Sequence, residues 1–351
     1  MKINYAESKN GNLQEALRGI RSPQLIIMMS NADQFDQHVA QLEELMPGVP
    51  SIGCIAMSYC KNVLEKGVSI TAFTEGVTAV TNVIEEAGST PVKYIERFEN
   101  DAASIKPGNA NTAVIDFCAG NDAVVLSTIN SVLKKYHIEL MGGTGDAGKV
   151  SCNGRVYPDA MAYAIIKNNN GRVKAYKENI YTPRKGVRLL ASKTDKTRYY
   201  IGELNGEPAK RVYMDLTGVS ESGIADQTFK NPFGKMIGDD ICIISLKGVE
   251  GNGLCCYRQV NDSDILTLLE ARDISEIVSD TISHIRGDFN RISAVFSVNC
   301  AFRYLVMQNQ GIVSDYLSQM GSLGNHCGFI GYGEHYNGQF INQTMTCIVF
   351  E

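Results

Sequence analysis

The last two dozen residues, GFIGYGEHYNGQFINQTMTCIVFE from Gly328 to Glu351, read as strand, glycine turn, strand. Asn337-Gly338 is a hairpin signal, because a type I′ turn needs positive φ at both central residues and these two residue types tolerate it. From Phe340 to Phe350 the chain is rich in β-branched and aromatic residues, which predicts one strand in the middle of a sheet.

The same order of signals occurs upstream. Val114 to Ala119 matches Val295 to Ala301 as an apolar strand ending in Cys-Ala, and a helical stretch follows each. Met141-Gly142-Gly143-Thr144-Gly145-Asp146 then aligns with Phe329-Ile330-Gly331-Tyr332-Gly333-Glu334, Asn153-Gly154 with Asn337-Gly338, and Arg155 to Met161 with Gln339 to Met345. The repeat predicts a mixed α/β (α+β) fold of two related halves about a pseudo-twofold. Antiparallel or mixed sheets flanked by helices would form each half. The polar stretch from Lys174 to Lys185 sets the expected boundary, giving parts 1–175 and 176–351.

Size and composition bound the function. At 351 residues the chain exceeds what one core usually serves, and 20% charged with 44% hydrophobic residues is ordinary globular composition. The net charge of −5 and the scattered Lys and Arg argue against nucleic acid and against an anionic membrane surface. No signal peptide or membrane-length apolar run is present, so a cytoplasmic protein is expected. Ten cysteines without a CxxC, most of them in apolar runs, read as reduced core thiols.

Between these landmarks the chain alternates strand and helix patterns. Leu25 to Met29 and Ser51 to Met57 are expected buried strands, with a helix over Phe35 to Met46 between them. Val68 to Phe73 and Thr78 to Ile84 look like a solvated pair. A helix led by Pro208 runs to Leu216, and further helices are expected near Asp264 to Leu269 and Asp273 to Ile285.

Several motifs carry candidate chemistry. Gly143-Thr144-Gly145-Asp146-Ala147-Gly148-Lys149 fits two phosphate-loop patterns, but a hairpin signal follows it instead of a helix, and Val150 stands where a Walker loop needs Ser or Thr. Cys300, close before Arg303, is the thiol best placed to be activated, so a thiol enzyme is one alternative. A haem sensor is another, since haem needs one axial histidine and an apolar pocket. Asp146 and Glu334 have two readings: acids that satisfy turn amides, or acids that with Arg303 bind the amine and carboxylate of a small ligand.

Gly331-Tyr332-Gly333-Glu334, Asn342-Gln343-Thr344-Met345-Thr346 and Cys300-Ala301-Phe302-Arg303 resemble the C-terminal half of the FIST sensory domain, and Ile52-Gly53-Cys54 with Met141 to Asp146 resemble its N-terminal half. One departure is Ile55-Ala56-Met57-Ser58, where that family commonly has Ser or Thr followed by Gly-Glu. The resemblance implies a non-enzymatic prokaryotic signal-input module that senses amino acids or similar metabolites. Its output partner would be of kinase, cyclase or chemotaxis type; some relatives are haem-based nitric oxide sensors. The ligand is expected between the two halves, and the residues expected to bind it are Cys54, Cys118, Gly143, Asp146, Cys300, Arg303, Gly333, Glu334 and Asn342.

Overall fold

The computed structural model describes every residue except Asn121 and Asp239. The chain forms two compact units, Met1–Glu178 with Val278–Glu351, and Asn179–Ile277.

The larger unit repeats one plan three times. The first copy contains β1 (Lys2–Ser8), α1 (Leu13–Leu17), β2 (Leu25–Ser30), α2 (Phe35–Leu45), β3 (Ser51–Ile55), a short hairpin β4 (Ser58–Tyr59) and β5 (Val63–Leu64), and β6 (Val68–Glu75). The second contains β7 (Val77–Glu85), α3 (Ile95–Ser104), β8 (Thr112–Ala119), α4 (Asp122–Tyr136), β9 (Glu139–Thr144), the hairpin β10 (Asp146–Cys152) and β11 (Arg155–Pro158), and β12 (Ala160–Asn168). The third opens with β13 (Val173–Asn179) and is then interrupted by the smaller unit.

That smaller unit is mostly antiparallel. It contains β14 (Tyr181–Pro183), β15 (Leu189–Asp195), β16 (Tyr200–Leu204), β17 (Glu207–Pro208), α5 (Ala209–Thr217), α6 (Ile224–Gln227), β18 (Phe233–Ile237), β19 (Asp240–Ile244), β20 (Leu246–Glu250), β21 (Gly253–Cys256) and β22 (Ile265–Ala271). The helix expected near Asp264 to Leu269 is strand β22, which pairs with β18, β15 and β14. Its leucines suit either state, and burial between neighbouring strands decides for the sheet.

The third copy resumes with α7 (Ile274–Asp288), β23 (Ala294–Cys300), α8 (Ala301–Gln310), α9 (Val313–Gly321), β24 (Asn325–Gly331), the hairpin β25 (Glu334–Tyr336) and β26 (Gln339–Ile341), and β27 (Thr344–Phe350).

Each copy builds a sheet, and each sheet takes its hairpin from another copy. The orders are β1-β6-β2-β3-β10-β11, β7-β12-β8-β9-β25-β26 and β13-β27-β23-β24-β4-β5. The first copy therefore gives its hairpin to the third, the second to the first, and the third to the second. The two segments matched in the sequence, around β8-β9 and β23-β24, are thus two of three. In all three the central pair (β2-β3, β8-β9, β23-β24) is parallel and joined by helix, as parallel neighbours require.

One face of every sheet points into a shared core that includes Ile27, Phe73, Ile115, Phe117, Phe296, Phe329 and Phe350. Phe117 meets Phe329 edge to face at 5.1 Å between ring centroids, a geometry that adds about 0.5–1.5 kcal/mol to the area buried. Helices cover the outer faces: α1 and α2 lie over Ile26, Met28 and Ile70, and α3 and α4 over Val114, Leu140 and Ile165.

This arrangement revises two strand readings. β6 and β7 do not pair with each other; β6 lies buried between β1 and β2, and β7 edges a different sheet. The single strand expected over Phe340 to Phe350 is two, β26 and β27, in different sheets. The step between them falls at Asn342-Gln343, where Gln343 has φ 55°. Its counterpart Asp159, between β11 and β12, has φ 42°.

Candidate functional site

In every sheet one strand of the parallel pair carries a glycine, and the received hairpin lays a side chain across it. Gly53 lies between Met28 and Ser151, Gly142 between Asp116 and His335, and Gly328 between Ser297 and Tyr59. A Cβ at Gly53 would stand 2.7 Å from Ser151 Oγ, and one at Gly142 or Gly328 would fall on Asp116 or on the Ser297 carbonyl. The glycines are there because backbone and hairpin approach too closely for any side chain.

The three sockets differ in chemistry. Under His335 lie two carboxylates: His335 Nδ1 is 2.6 Å from Asp116 Oδ2, and Nε2 is 3.1 Å from Asp122 Oδ2, with all three groups buried. Burial alone would lower the imidazole, but Asp116 and Asp122 overcome it and hold His335 at about 10. Asp122 is held below the usual carboxylate range: its burial is outweighed by the His335 imidazolium beside it, by the Thr144 hydroxyl that donates to it and by the neighbouring Cys118 thiol.

Under Tyr59 the groups are mostly neutral. Tyr59 Oη and Ser297 Oγ are 2.8 Å apart, Ser297 Oγ and His326 Nε2 2.7 Å, and Asn299 Nδ2 donates to Tyr59 Oη at 2.9 Å and Tyr316 Oη at 2.8 Å. Burial pushes His326 down to about 3, so it is an uncharged imidazole at neutral pH. Arg303 closes this chain, donating from Nε to Asn299 Oδ1 at 3.0 Å and pairing with Glu178.

Glu334 precedes His335 and faces the other way, opposite Gly143. It is wholly buried. Its Oε2 accepts from Thr344 N at 3.0 Å and from Thr344 Oγ1 at 2.7 Å, while Oε1 has no hydrogen-bond partner among the described residues. Burial raises the carboxyl to about 8 despite the Thr344 bonds and the Cys300 thiol beside it. The turns around it interlock through backbone: Thr144 N donates to Gly333 O at 2.9 Å, Tyr332 N to Thr144 O at 3.0 Å, and Gly145 N to Cys118 O at 3.1 Å. A Cβ at Gly143 would lie 2.6 Å from Gly333 O, so this interlock also depends on glycine.

Of the residues expected to form a site, Gly143, Gly333, Glu334 and Cys300 meet here, with Cys118 and Cys54 against Gly145. Asp146 does not join them: it is exposed and caps Ala147 N at 2.7 Å. The strand register places Val150, opposite Cys54, at the position that Glu334 takes opposite Gly143, so the two acids are not counterparts. Asn342 is half-buried at the step between β26 and β27, and Arg303 is wholly buried with its guanidinium on Glu178 and Asn299.

Sequence reasoning missed His335, Asp116, Asp122 and Thr344. Asp116 did carry a signal, since a lone carboxylate inside Val114-Ile115-Asp116-Phe117 needs a buried partner. That partner lies 219 residues away.

The alternatives gain nothing from these positions. His38 is bonded at both ring nitrogens, to Ser30 Oγ at 2.7 Å and Gly11 O at 2.8 Å, and His335 is held by two carboxylates. The Cys300 thiol is pushed well up by burial and by Glu334, opposite to the shift an activated thiolate needs. Among the described residues no cluster of three or more His, Cys, Asp or Glu side chains could hold a metal ion, and no helix is long and apolar enough to cross a membrane.

Two family models match the chain: the FIST N domain over residues 24–207 and the FIST C domain over residues 209–337. No curated protein matches it.

Proposed function

The chain belongs to the FIST family, whose domains are associated with signal-transduction sensing, and from that premise we propose that it takes up an amino acid or similar small metabolite at Glu334. In this reading the module works in the cytoplasm and passes its signal to a kinase, cyclase or chemotaxis-type protein. Gly143, Gly333 and Cys300 line the ligand, and Arg303, already held by Glu178, supports the neighbouring strand without touching it.

The observation that carries the reading is the Glu334 carboxyl, buried with Oε1 unpartnered between two glycine turns. A buried polar atom without a partner costs about 1–3 kcal/mol, a cost a ligand ammonium would offset. Entry requires the turn at Gly331–Glu334 to part from the turn at Gly143–Gly145. The ligand then signals by favouring the parted arrangement, because a ligand shifts an equilibrium only through differential affinity for its two states.

An amine on Glu334 must meet a carboxylate, so binding releases a proton and tightens as pH rises toward about 8. A thermal-shift panel of free amino acids and small amines, run near that pH, tests this on the intact chain. One compound is expected to raise Tm in the wild type and to lose its effect in Glu334→Gln. A compound that stabilises both proteins equally, or a panel without effect, rejects the site.

A further inference from the structure

One residue beyond the side chain that crosses each glycine, the donated hairpin makes a further cross-strand pair. On β10 and β3 this is Cys152 with Ile52, next to Ser151 and Gly53; on β25 and β9 it is Tyr336 with Met141, next to His335 and Gly142. On β4 and β24 the ladder pairs Ser58 with Phe329 and Tyr59 with Gly328, so the same place falls to Cys60 and Cys327. Two of the three places hold ordinary packing pairs, and the third holds two thiols. Among the described strand pairings no other sets cysteine opposite cysteine.

Opposite residues of antiparallel strands alternate between hydrogen-bonded and non-hydrogen-bonded pairs, with Cα atoms about 5.5 and about 4.5 Å apart. Ile330 N donates to Met57 O at 2.9 Å. That makes their pair hydrogen-bonded and, three steps along, makes Cys60 and Cys327 a pair of the closer kind. Either spacing is within the roughly 4.4–6.8 Å that a disulfide spans. Both thiols turn to one side of the sheet, since Cys327 belongs to the shared core and Cys60 packs against it. Cys327 is buried, with Sγ 3.5 Å from Thr71 Oγ1, whereas Cys60 is half-buried where the chain leaves β4. Cys60 is therefore the thiol that a soluble oxidant reaches first.

We propose that Cys60 and Cys327 form a redox latch, separate from Glu334, in which a small disulfide such as oxidised glutathione joins them and ties the donated β4-β5 hairpin to β24. The Cys60 thiolate attacks one sulfur of oxidised glutathione, forming a mixed disulfide and releasing one glutathione thiolate. The Cys327 thiolate then attacks the Cys60 sulfur and expels the second. Two protein thiols are oxidised, one glutathione disulfide is reduced to two thiols, and the two cysteine protons pass to them. Burial holds both cysteines above the ordinary thiol range, Cys327 at about 12, which makes each attack slow. The same burial denies the reduced pair any stabilisation as thiolate, the property that makes a disulfide easy to reduce. The bond forms slowly and, once made, persists.

The test starts from the reduced intact chain, incubated with oxidised glutathione near the ordinary thiol pKa of about 8.5, then alkylated and mapped by peptide mass spectrometry without reduction. A Cys60–Cys327 cross-link that dithiothreitol reverses is expected, with Tm raised by about 5 °C or more, because the bond closes a loop of most of the chain. Cys60→Ser and Cys327→Ser should each abolish the link and the rise, while Cys255→Ser, at a partly exposed thiol on β21, keeps both. Should Cys327→Ser fail to fold, Cys60→Ser carries the test, as it leaves the buried thiol in place. Glutathione retained on Cys60, a link from Cys60 to any other cysteine, no product at Cys60, or a link that leaves Tm unchanged overturns the latch.

Discussion

Gly142 and Gly328 occupy equivalent places in two sheets, each crossed by a donated hairpin side chain. Beneath His335, however, lie two carboxylates, and beneath Tyr59 a run of hydroxyl, amide and neutral imidazole groups. The geometric demand, a backbone without Cβ, is the same in both, and so is the pairing that imposes it. What differs is how the hairpin is retained. At Gly142 a buried cation must have its counter-charges, whereas at Gly328 Tyr59, Ser297 and Asn299 each keep another hydrogen-bond partner when one is lost.

The largest test of this difference is His335→Gln. It leaves Asp116 and Asp122 buried without their cation, and breaking a buried pair costs about 3–5 kcal/mol. Urea unfolding of the intact chain should show that loss. A cost near that of an ordinary hydrogen bond would mean the ionic socket is not what holds β25.

Next in size is the pH dependence. Glu334 is held at about 8 against an ordinary 4.5, and His335 at about 10 against 6.5. Both folded values lie above the unfolded ones, so the native state carries more protons and stability falls as pH rises. The Glu334 contribution is whole below pH 4.5 and gone above about 8; that of His335 is whole below 6.5 and gone above about 10. Glu334→Gln should therefore remove the early part of the fall, leaving a decline that begins near 6.5. An unchanged profile in urea unfolding from about pH 5 to about pH 9 would separate Glu334 from that decline.

The smallest effect belongs to the neutral socket. Tyr59→Phe removes one hydroxyl, while Ser297 keeps His326 and Asn299 keeps Tyr316. The expected cost is about 1 kcal/mol, again by urea unfolding. A loss as large as that of His335→Gln would erase the distinction between the sockets.

Much of the local structure was legible in the sequence. Asn153-Gly154 and Asn337-Gly338 form the two hairpin turns they signal, with φ of 46° and 75°, and 44° and 81°. The buried strands at Leu25, Ser51, Thr112 and Ala294, and the helix led by Pro208, also lie where pattern and punctuation put them. Glycine richness around residues 143 and 333 pointed to the turns that do meet. The reading failed where two signals looked alike in one dimension. Asp146 and Glu334 share a Gly-x-Gly-acid motif, yet one is exposed and the other lies in the core, because the β10-β3 register shifts between Asp146 and Val150.

What the sequence determined by itself was therefore which residues become strand, turn or helix, since alternation, Asn-Gly turns and capping act over a few residues. Only the tertiary structure decided which sheet each strand joins. From Gln339 to Phe350 the propensities are continuous, but the chain leaves one sheet and enters another at Gln343. Backbone ladder bonds are the same whichever partner supplies them. The choice was made by packing and buried charge across more than two hundred residues, where Gly142 admits His335 and Asp116 waits for it.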